Sequence, residues 1–416
     1  MKIRIYTPYF PLPVTEGAFQ IIADQISTFS QLGHSVEVVL VLETLIEAKI
    51  KIDALPAKEN LFPYQLKSLQ NHKREPYQSS SNRLRRVLSS LFSELASPEL
   101  FYYPTELKER SFLGPADLAI YHYSFSYSWL RTSESLGEKK RVVYFHNLES
   151  DLSLLRAKTS VSKIQAAIHL HNSRKLRKHE KELSELCDEI WMASPKDYQN
   201  FLKTMGDPPV SARLRLTPPT YPKALKQNRT QSFLDAASKR NAKIEESNKV
   251  ILGFIGGMDF GPNLDSAQWI IKNLAPALQS SHFSGKILFA GKNPPTSLLK
   301  MAEPYQFIEF LGFVENIENF WNQLSFMLVP HISGSGVRMK LLEAVASGVP
   351  VLANPEAIER THPDVQNSPF VLNCKNVEEW MNLILREKPF QTRKSLIQAP
   401  APHALSGTEV YGSLCL

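Results

Sequence analysis

Short apolar runs alternate with longer amphipathic segments along most of the chain. Near the N-terminus, the apolar run KIRIYTPYF is followed by a loop that contains proline and glycine. In the next segment, Ile21, Ile22, Ile26 and Phe29 fall roughly on one face of a helix that stops at Gly33. A second apolar run, HSVEVVLVLE, follows. This pattern predicts a β-α-β unit, and the helical crossover predicts that its two strands are parallel.

The same alternation continues in two blocks. The first block has three further apolar runs that predict buried strands: DLAIYHYS, RVVYFHN and DEIWMAS. The second block has five such runs, with the predicted helix NLDSAQWIIKNLAPALQ after the first of them: VILGFIGG, KILFAGK, FIEFLGFV, SFMLVPH and VPVLANP. Short apolar runs separated by helices are typical of a doubly wound parallel sheet, so each block predicts one α/β sheet.

The length and the polar stretches suggest where the domains begin and end. A chain of 416 residues is too long for one ordinary core. We expect a Rossmann-like domain over residues 1–216, with an irregular insertion of helices and loops at about 45–115. A proline-rich and then polar linker follows at 217–248, and a second Rossmann-like domain at 249–385. The polar tail, residues 386–416, has no assigned structure.

Composition excludes several classes of protein. An apolar content of 43% with 21% charged residues is normal for a globular protein. Cys187, Cys374 and Cys415 have no paired spacing, which argues against a disulfide framework and a zinc site. We find no signal peptide, and no apolar stretch of the roughly 18 residues that a membrane-spanning helix needs. We therefore expect a cytoplasmic protein with no metal and no cofactor.

The glycine-rich loop HISGSGVRMK, which follows the predicted strand SFMLVPH, is a candidate phosphate site. Gly334 and Gly336 flank Ser335, and backbone amides in such a loop at a helix N-terminus bind anions. Arg338 and Lys340 put positive charge where the helix dipole disfavours it, which makes sense if an anion binds there. A plain turn with solvated basic residues is the alternative.

Several segments together resemble one enzyme family. GSGVRMKLLEAVASGVPVLA is similar to the donor-site segment of the retaining GT-B glycosyltransferases that use nucleotide sugars (glycosyltransferase family 4-like, or group 1). GFIGGMDFGPNLDSAQWIIKNLAPAL resembles the opening of their second domain. YTPYFPLPVTEGA with LGHSVEVV, and FHNLESDL, resemble parts of their first domain. The resemblance covers the second predicted domain nearly end to end and the first in patches.

This resemblance implies a fold and an activity. The fold would be GT-B, with two Rossmann-like doubly wound parallel-sheet domains facing a central cleft. The enzyme would move a hexosyl or similar group from a nucleotide-sugar donor to a glycan, a lipid-linked or a protein acceptor, with retention. Two alternatives stay open: another GT-B enzyme such as a nucleotide-sugar 2-epimerase, and a non-catalytic glycosyltransferase-like binding subunit.

The resemblance also implies roles for individual residues. The donor-binding set would be Gly17, Gly257, Phe313, Val314, Gly334, Ser335, Gly336, Val337, Arg338, Lys340 and Glu343. Within it, the amides of residues 334–337 with Arg338 and Lys340 would hold the diphosphate, because arginine grips two phosphate oxygens and lysine acts as a point charge. Glu343 would accept hydrogen bonds from the ribose.

Three further assignments follow from the same resemblance. Phe313 and Val314 would lie near the base, and Gly17 would let the first-domain loop approach the phosphates, although it also suits a plain turn. His146, at the end of a strand, would act as the catalytic residue near the transferred sugar. A histidine bonded to the backbone at a strand end is the alternative reading. We interpret Asn263 as the cap of the following helix.

The sequence departs from the family pattern at two places. The family often has an acid eight residues before the position of Glu343, and this chain has Ser335 there. The family's frequent arginine and lysine after the first strand of the second domain are missing from GGMDFGPN. Arg338 and Lys340 would therefore carry more of the phosphate charge.

Two basic segments stand apart from these motifs. RAKTSVSKIQAAIHLHNSRKLRKHEK and SNRLRRVLSSLFSELA would suit contact with anionic lipid, and a solvated helix face explains them equally well. We expect a cytoplasmic enzyme that contacts the inner membrane face peripherally. The net charge of +7 is modest and no nucleic-acid-reading motif is present, so we expect no nucleic-acid partner.

Overall fold

The computed structural model describes residues 1–7, 17–41, 64–69, 113–123, 137–160, 162–205, 213–219, 249–385 and 411. These residues form two compact units. The first unit contains the described residues up to 219, together with residues 335–337 and Tyr411. The second unit contains residues 249–334 and 338–385. The two units are described separately below.

The first unit is built on a parallel sheet of seven strands. Its strands are β1 (Lys2–Thr7), β2 (Ser35–Val41), β3 (Tyr64–Leu69), β4 (Ala116–His122), β5 (Glu138–Phe145), β6 (Glu189–Met192) and β7 (Leu214–Leu216). They lie in the order β3-β2-β1-β4-β5-β6-β7, and every neighbouring pair is parallel. The described helices are α1 (Gly17–Gln31), α2 (Glu149–Thr159), α3 (Lys163–Leu186) and α4 (Pro195–Met205).

The packing of the first unit follows from its apolar pattern. The predicted face of α1 is confirmed, since Ile21, Ile22, Ile26 and Phe29 are all buried. The predicted parallel pairing of β1 with β2 is also confirmed. On the sheet, strand β5 shares a buried cluster with helices α3 and α4. Each fully buried side chain of this size stabilises the fold by about 1.5–3 kcal/mol through the hydrophobic effect.

The second unit repeats this plan with six strands. Its strands are β8 (Ile251–Ile255), β9 (Lys286–Ala290), β10 (Ile308–Gly312), β11 (Phe326–Val329), β12 (Val351–Ala353) and β13 (Val371–Asn373). The order is β10-β9-β8-β11-β12-β13, again all parallel. Its helices are α5 (Gly261–Trp269), α6 (Ala275–Ser280), α7 (Thr296–Ala302), α8 (Ile317–Gln323), α9 (Met339–Ala346), α10 (Pro355–Ile358), α11 (Pro363–Gln366) and α12 (Val377–Leu385). A single π-helical turn, Ile270–Leu274, joins α5 to α6.

Both sheets reverse their strand order once. In the first unit the reversal lies between β1 and β4, and in the second it lies between β8 and β11. In open parallel sheets, ligands bind outside the carboxyl ends of the strands at this switch point. The residues that follow β8 and β11 are therefore the first place to look for a site in the second unit.

Three strands were not predicted from the sequence, and all three lie at sheet edges. Strand β3 falls within residues 45–115, for which we predicted an irregular insertion of helices and loops. Strands β7 and β13 have three residues each and were not predicted. Edge strands are covered on fewer sides, so they lack the apolar runs that reveal central strands.

The described helices include none that is long and apolar enough to cross a membrane. Cys187 and Cys374 are free, buried thiols, in agreement with the absence of a disulfide framework between them. Cys415 and most of the predicted linker at 217–248 lie outside the described residues.

Candidate functional site

A glycine turn leaves the carboxyl end of β8 and allows close backbone packing. A Cβ added at Gly256 would lie 2.6 Å from the side-chain nitrogen of Asn263. At Gly291, beside it, a Cβ would overlap the carbonyl oxygen of Gly256. The carbonyl of Gly257 accepts a hydrogen bond from Asn263 Nδ2 at 3.0 Å. Asn263 is thereby fixed at the start of α5, with its amide oxygen turned away from Gly257.

The chain that leaves β11 is held by side chains from neighbouring elements. The backbone amide of His331 donates to Asn354 Oδ1 at 2.9 Å, and Asn354 Nδ2 donates back to the carbonyl of His331 at 2.8 Å. Two residues later, the hydroxyl of Ser333 donates to the carboxylate of Asp265. These contacts fix the direction in which the glycine-rich loop begins.

The loop itself needs glycine at its first turn. Gly334 has φ +102°, a left-handed conformation that a side chain disfavours. A Cβ there would lie 2.8 Å from Arg338 Nη2 and 3.0 Å from Pro262 Cγ. Gly336 also has a positive φ, and Ser335 and Val337 complete the turn before α9. The close approach of the Arg338 guanidinium to Gly334 places a fixed cation beside the loop backbone.

Arg338 immediately precedes α9 and faces a neutral histidine. Its Nη2 lies 3.4 Å from His331 Nε2, and it donates to the carbonyl of Ser333 at 3.4 Å. Burial, together with the charges of Arg338 and Arg360, lowers the pKa of His331 to about 2. The uncharged imidazole can therefore accept a hydrogen bond from Arg338 without adding a third positive charge to the loop.

Lys340 lies in the first turn of α9 and has neutral neighbours. Its Nζ donates to Asn263 Oδ1 at 2.8 Å and lies 4.2 Å from the centre of the Phe254 ring. Burial and the charge of Arg338 lower the pKa of Lys340 to about 7, against an opposing effect of Glu343. Arg338 and Lys340 thus form a positive cluster at the switch point, and Lys340 has no carboxylate ion-paired to it among the described residues.

Glu343 lies further along α9. Burial raises the pKa of its carboxyl group, and Lys340 lowers it. Within the described part of the chain, its side chain makes no hydrogen bond. It is therefore able to accept hydrogen bonds from a ligand.

Phe313 and Val314 follow β10, at the same carboxyl edge of the sheet. Phe313 is 56% exposed, which is unusual for so large an apolar side chain. The Nζ of Lys292 lies 4.4 Å from the centre of its ring. Val314 beside it is half-buried. The exposed ring offers a flat face for stacking.

The two predicted residues of the first unit lie on different elements. Gly17 is the first residue of α1. His146 directly follows β5 and is buried, with its ring stacked on Tyr123 at 4.3 Å. Its Nε2 lies 2.8 Å from His122 Nδ1. Burial lowers the pKa of His146 to about 3, so the imidazole is neutral near pH 7.

Among the predicted residues of the second unit, Asn263 joins Gly257 to Lys340. Gly334 lies beside the guanidinium of Arg338. The interpretation of Asn263 as a helix cap is wrong. Helix α5 begins at Gly261, and the Asn263 side chain instead binds Gly257 and Lys340. The contact with Lys340 spans 77 residues, so no local pattern could show it.

His331 and Asn354 were also missed. Each follows the end of one of two neighbouring strands, β11 and β12. Polar residues directly after adjacent parallel strands meet at one edge of the sheet, and this signal was present in SFMLVPH and VPVLANP. Among the described residues, no three side chains of histidine, cysteine, aspartate or glutamate are grouped as metal ligands.

Comparison with known proteins relates the second unit to a family. The profile of the family described as Glycosyl transferases group 1 matches residues 249–386, which span the second unit. No curated protein matches the chain at the sequence level.

Similar solved structures extend over the whole chain. HepE from Anabaena, in complex with UDP and glucose, has a TM-score of 0.61 at 13% identity, with 100% of this chain and 98% of that chain covered. Sucrose-phosphate synthase from Thermosynechococcus elongatus has a TM-score of 0.62 at 14% identity, with 100% and 99% covered. The catalytic domain of starch synthase IV from Arabidopsis thaliana, bound to ADP and acarbose, has a TM-score of 0.58 at 11% identity, with 99% and 98% covered. At these identities the structures show the fold, and the family profile shows the class of enzyme: the chain is a glycosyltransferase of the GT-B fold, and its residues 249–386 belong to the glycosyl transferases group 1 family.

Proposed function

We propose that this glycosyltransferase moves a sugar from a nucleoside diphosphate donor to an acceptor hydroxyl, with retention. The observation that carries the donor assignment is Lys340. It is a largely buried ammonium group whose described neighbours are an amide oxygen and an aromatic ring. An anionic ligand would supply the missing negative charge, and burial strengthens that attraction.

The diphosphate is the part of the donor whose charge suits this positive cluster. In the proposal, the amides of residues 334–337 bind phosphate oxygens, as amides do at other glycine-rich helix N-termini. Arg338 contributes a planar fork of donors, and Lys340 contributes a point charge. These groups are sufficient to neutralise a diphosphate, so we propose that the enzyme uses no metal and no cofactor.

The nucleoside is assigned to predicted residues outside the positive cluster. Glu343 accepts hydrogen bonds from the ribose hydroxyls, and Gly257 lets the ligand approach the backbone after β8. Phe313 and Val314 contact the base. In support, one structure of similar fold was determined with UDP and glucose, and another with ADP. The base and the sugar of this chain's donor are left open by these contacts.

The first unit is assigned to the transferred sugar. Here His146 is the proposed catalytic residue, and Gly17 is proposed to let the backbone approach the donor phosphates. A neutral imidazole can bind a sugar hydroxyl without attracting the donor phosphates into the wrong position. Replacing His146 by alanine should therefore lower turnover far more than nucleotide affinity.

The acceptor is proposed to be a glycan, a lipid-linked sugar or a protein, with no nucleic-acid partner. Helix α3 carries much of the basic segment, and the side chain of Lys178 on it is 76% exposed. Ile164 in the same helix is 72% exposed. A basic helix with exposed apolar residues suits peripheral contact with an anionic membrane, and we propose a cytoplasmic location at the inner membrane face. The second basic segment, SNRLRRVLSSLFSELA, lies outside the described residues.

Titration calorimetry with UDP, GDP and dTDP tests the donor site. Losing a charged hydrogen bond to an anion costs about 1.5–3 kcal/mol, or about one to two powers of ten in affinity. Arg338→Ala and Lys340→Ala should weaken diphosphate binding by that amount and nucleoside binding much less. Lys272→Ala, on the π-helical turn, is the matched control. Unchanged diphosphate affinity in both folded loop variants would refute the proposed site.

The transfer reaction needs its own measurement. A screen of UDP-, GDP- and dTDP-sugars for slow hydrolysis by the wild-type chain should find at least one donor that is turned over. Binding of a nucleoside diphosphate without turnover of any sugar nucleotide would instead favour a binding subunit.

A further inference from the structure

A directed row of hydrogen bonds runs through the core of the first unit. It starts at a backbone carbonyl: the hydroxyl of Tyr144, on β5, donates to the oxygen of Thr217 at 2.8 Å. A carbonyl oxygen can only accept, and a hydroxyl has one hydrogen. The hydrogen of Tyr144 is therefore committed to Thr217, and any other hydroxyl that bonds to Tyr144 must donate.

Tyr411, from the C-terminal end of the chain, acts on the pKa of Tyr144, and both side chains are fully buried. Because the hydrogen of Tyr144 points to Thr217, it does not compete for the oxygen of Tyr411. The oxygen of Tyr411 accepts from Gln25 Nε2 at 3.4 Å. The orientation of the buried Gln25 amide follows from this, with its carbonyl oxygen on the opposite side.

The carbonyl oxygen of Gln25 fixes two histidines in turn. It lies 3.0 Å from His122 Nε2, which must carry a hydrogen to bond with it. Burial lowers the pKa of both His122 and His146, so each ring has a single N–H. His122 Nδ1 is then an acceptor, and it lies 2.8 Å from His146 Nε2. His146 therefore carries its hydrogen on Nε2.

The row ends at an atom with no partner. His146 Nδ1 is buried and has no hydrogen bond with any described residue. With the hydrogen on Nε2, this nitrogen presents a lone pair. A buried acceptor without a partner is unfavourable, and the cost is removed when a ligand donates a hydrogen bond to it.

We infer that Gln25, His122 and Tyr411 are positioning residues that hold His146 in the tautomer whose Nδ1 accepts a hydrogen bond from a substrate hydroxyl. The role of that hydroxyl rests on the proposed sugar transfer, whereas the tautomer itself does not. The arrangement selects for a hydroxyl at one position of the sugar. A site built around a hydrogen bond rejects an analogue that lacks the group, because the buried partner is then left unpaired.

The tautomers can be read directly by ¹⁵N NMR of the full chain labelled at histidine. Protonated and unprotonated ring nitrogens have well-separated shifts, and His146→Asn and His122→Asn assign the signals. In the wild type, both rings should carry hydrogen on Nε2. In Gln25→Met, His122 loses its acceptor, turns its hydrogen to Nδ1, and forces the hydrogen of His146 onto Nδ1.

Two further variants make the test independent of how well Gln25→Met folds. Tyr411→Phe keeps the ring but removes the acceptor that orients Gln25, so both histidines should show mixed tautomers. Tyr6→Phe is the matched control. It removes another buried hydroxyl of the same sheet, which donates to Glu138 at 2.7 Å, and it should leave both tautomers unchanged.

The kinetic consequence is measured on whichever of UDP-glucose, GDP-mannose and dTDP-glucose is turned over. Gln25→Met should lower kcat/KM about ten-fold or more, as for one unpaired hydrogen-bond partner, with the affinity for the nucleoside diphosphate unchanged.

The inference is overturned if wild-type His146 carries its hydrogen on Nδ1, or if Gln25→Met and Tyr411→Phe both keep the wild-type tautomers. Changed tautomers with unchanged kcat/KM overturn the role of the hydroxyl. Expected tautomers without turnover of any donor would mean that the proposed function has failed.

Discussion

Each unit of this protein contains a buried cation, and the two cations differ in whether carboxylates pair with them. In the first unit, Arg4 on β1 is fully buried and forms ion pairs with Glu37 at 2.6 Å and with Glu138 at 3.3 Å. It also donates to the carbonyl of Gly114 at 2.5 Å. In the second unit, Lys340 has an amide oxygen and an aromatic ring as its close partners.

The pKa values follow the same division. Burial on its own lowers the pKa of Arg4, but its interactions with Tyr6 and Glu37 raise it overall. Burial lowers the pKa of Lys340 to about 7, and Glu343 only partly opposes this effect. A buried cation with built-in carboxylates serves the structure of the protein. We propose that a buried cation without them receives its opposite charge from a ligand, and the following variants test this distinction.

The largest expected effect is on the ion pairs of the first unit. Arg4→Met leaves Glu37 and Glu138 buried beside an apolar side chain, and breaking a buried pair in this way costs about 3–5 kcal/mol. The unfolding temperature in scanning calorimetry should fall by several degrees or more. Lys139→Met, which removes an exposed ion pair with Asp117, is the control and should cost less than about 1 kcal/mol. Equal losses in the two variants would contradict a structural role for Arg4.

Lys340→Met should change the stability of the fold in the opposite direction from Arg4→Met. Replacing a buried charged group by an apolar one of similar size is often stabilising by about 1–4 kcal/mol, so the ligand-free variant should unfold at a higher temperature. The pKa of Lys340 is lower in the folded protein than its usual value of 10.5. The gain is therefore full at pH 7 and below, and it disappears as pH rises toward 10.5. A destabilised variant would show that Lys340 supports the fold.

Binding of UDP should depend on pH through the same lysine. In the proposed site the ammonium form of Lys340 binds the diphosphate, and this form is lost as pH rises through about 7. Affinity should be level between pH 6 and pH 7 and then fall by up to about ten-fold per pH unit. Titration calorimetry from pH 6 to pH 9 measures this slope. In Lys340→Met the slope should vanish, and a slope that persists there would assign the pH dependence to another group.

The parts of this fold that the sequence predicts are those with a local signal. The central strands of both sheets are continuous apolar runs, because they are covered on both faces, and the buried face of α1 follows a helical period. The edge strands β3, β7 and β13 are short or polar. Their pairing depends on neighbours distant in sequence, so no window of residues contains the information.

The candidate sites divide in the same way. The glycine loop with Arg338 and Lys340 could be predicted as a phosphate site from the sequence, because its residues lie close together along the chain and their types suit phosphate. The contact between Asn263 and Lys340 is made only by folding. The two ion pairs of Arg4 also join distant strands. In the sequence, Arg4 lies in an apolar run that contains neither Glu37 nor Glu138, so its ion pairs could not be predicted.

The smallest predicted effect concerns the carboxylate that acts on Lys340. Glu343 favours the charged form of this lysine, although the two groups are not in contact as an ion pair. Glu343→Gln removes that attraction but keeps the size of the side chain and its ability to accept hydrogen bonds. The pKa of Lys340 should therefore move further down, and the pH at which UDP affinity begins to fall should move down with it by a fraction of a unit.

At pH 6, where Lys340 is charged in both proteins, any remaining loss of affinity reports on the proposed ribose contact and should appear equally with uridine. Glu318→Gln, an exposed change on α8, is the control. If Glu343→Gln leaves the pH profile in place, the carboxylate does not influence Lys340, and the distinction between the two buried cations would rest on Asn263 and Phe254 alone.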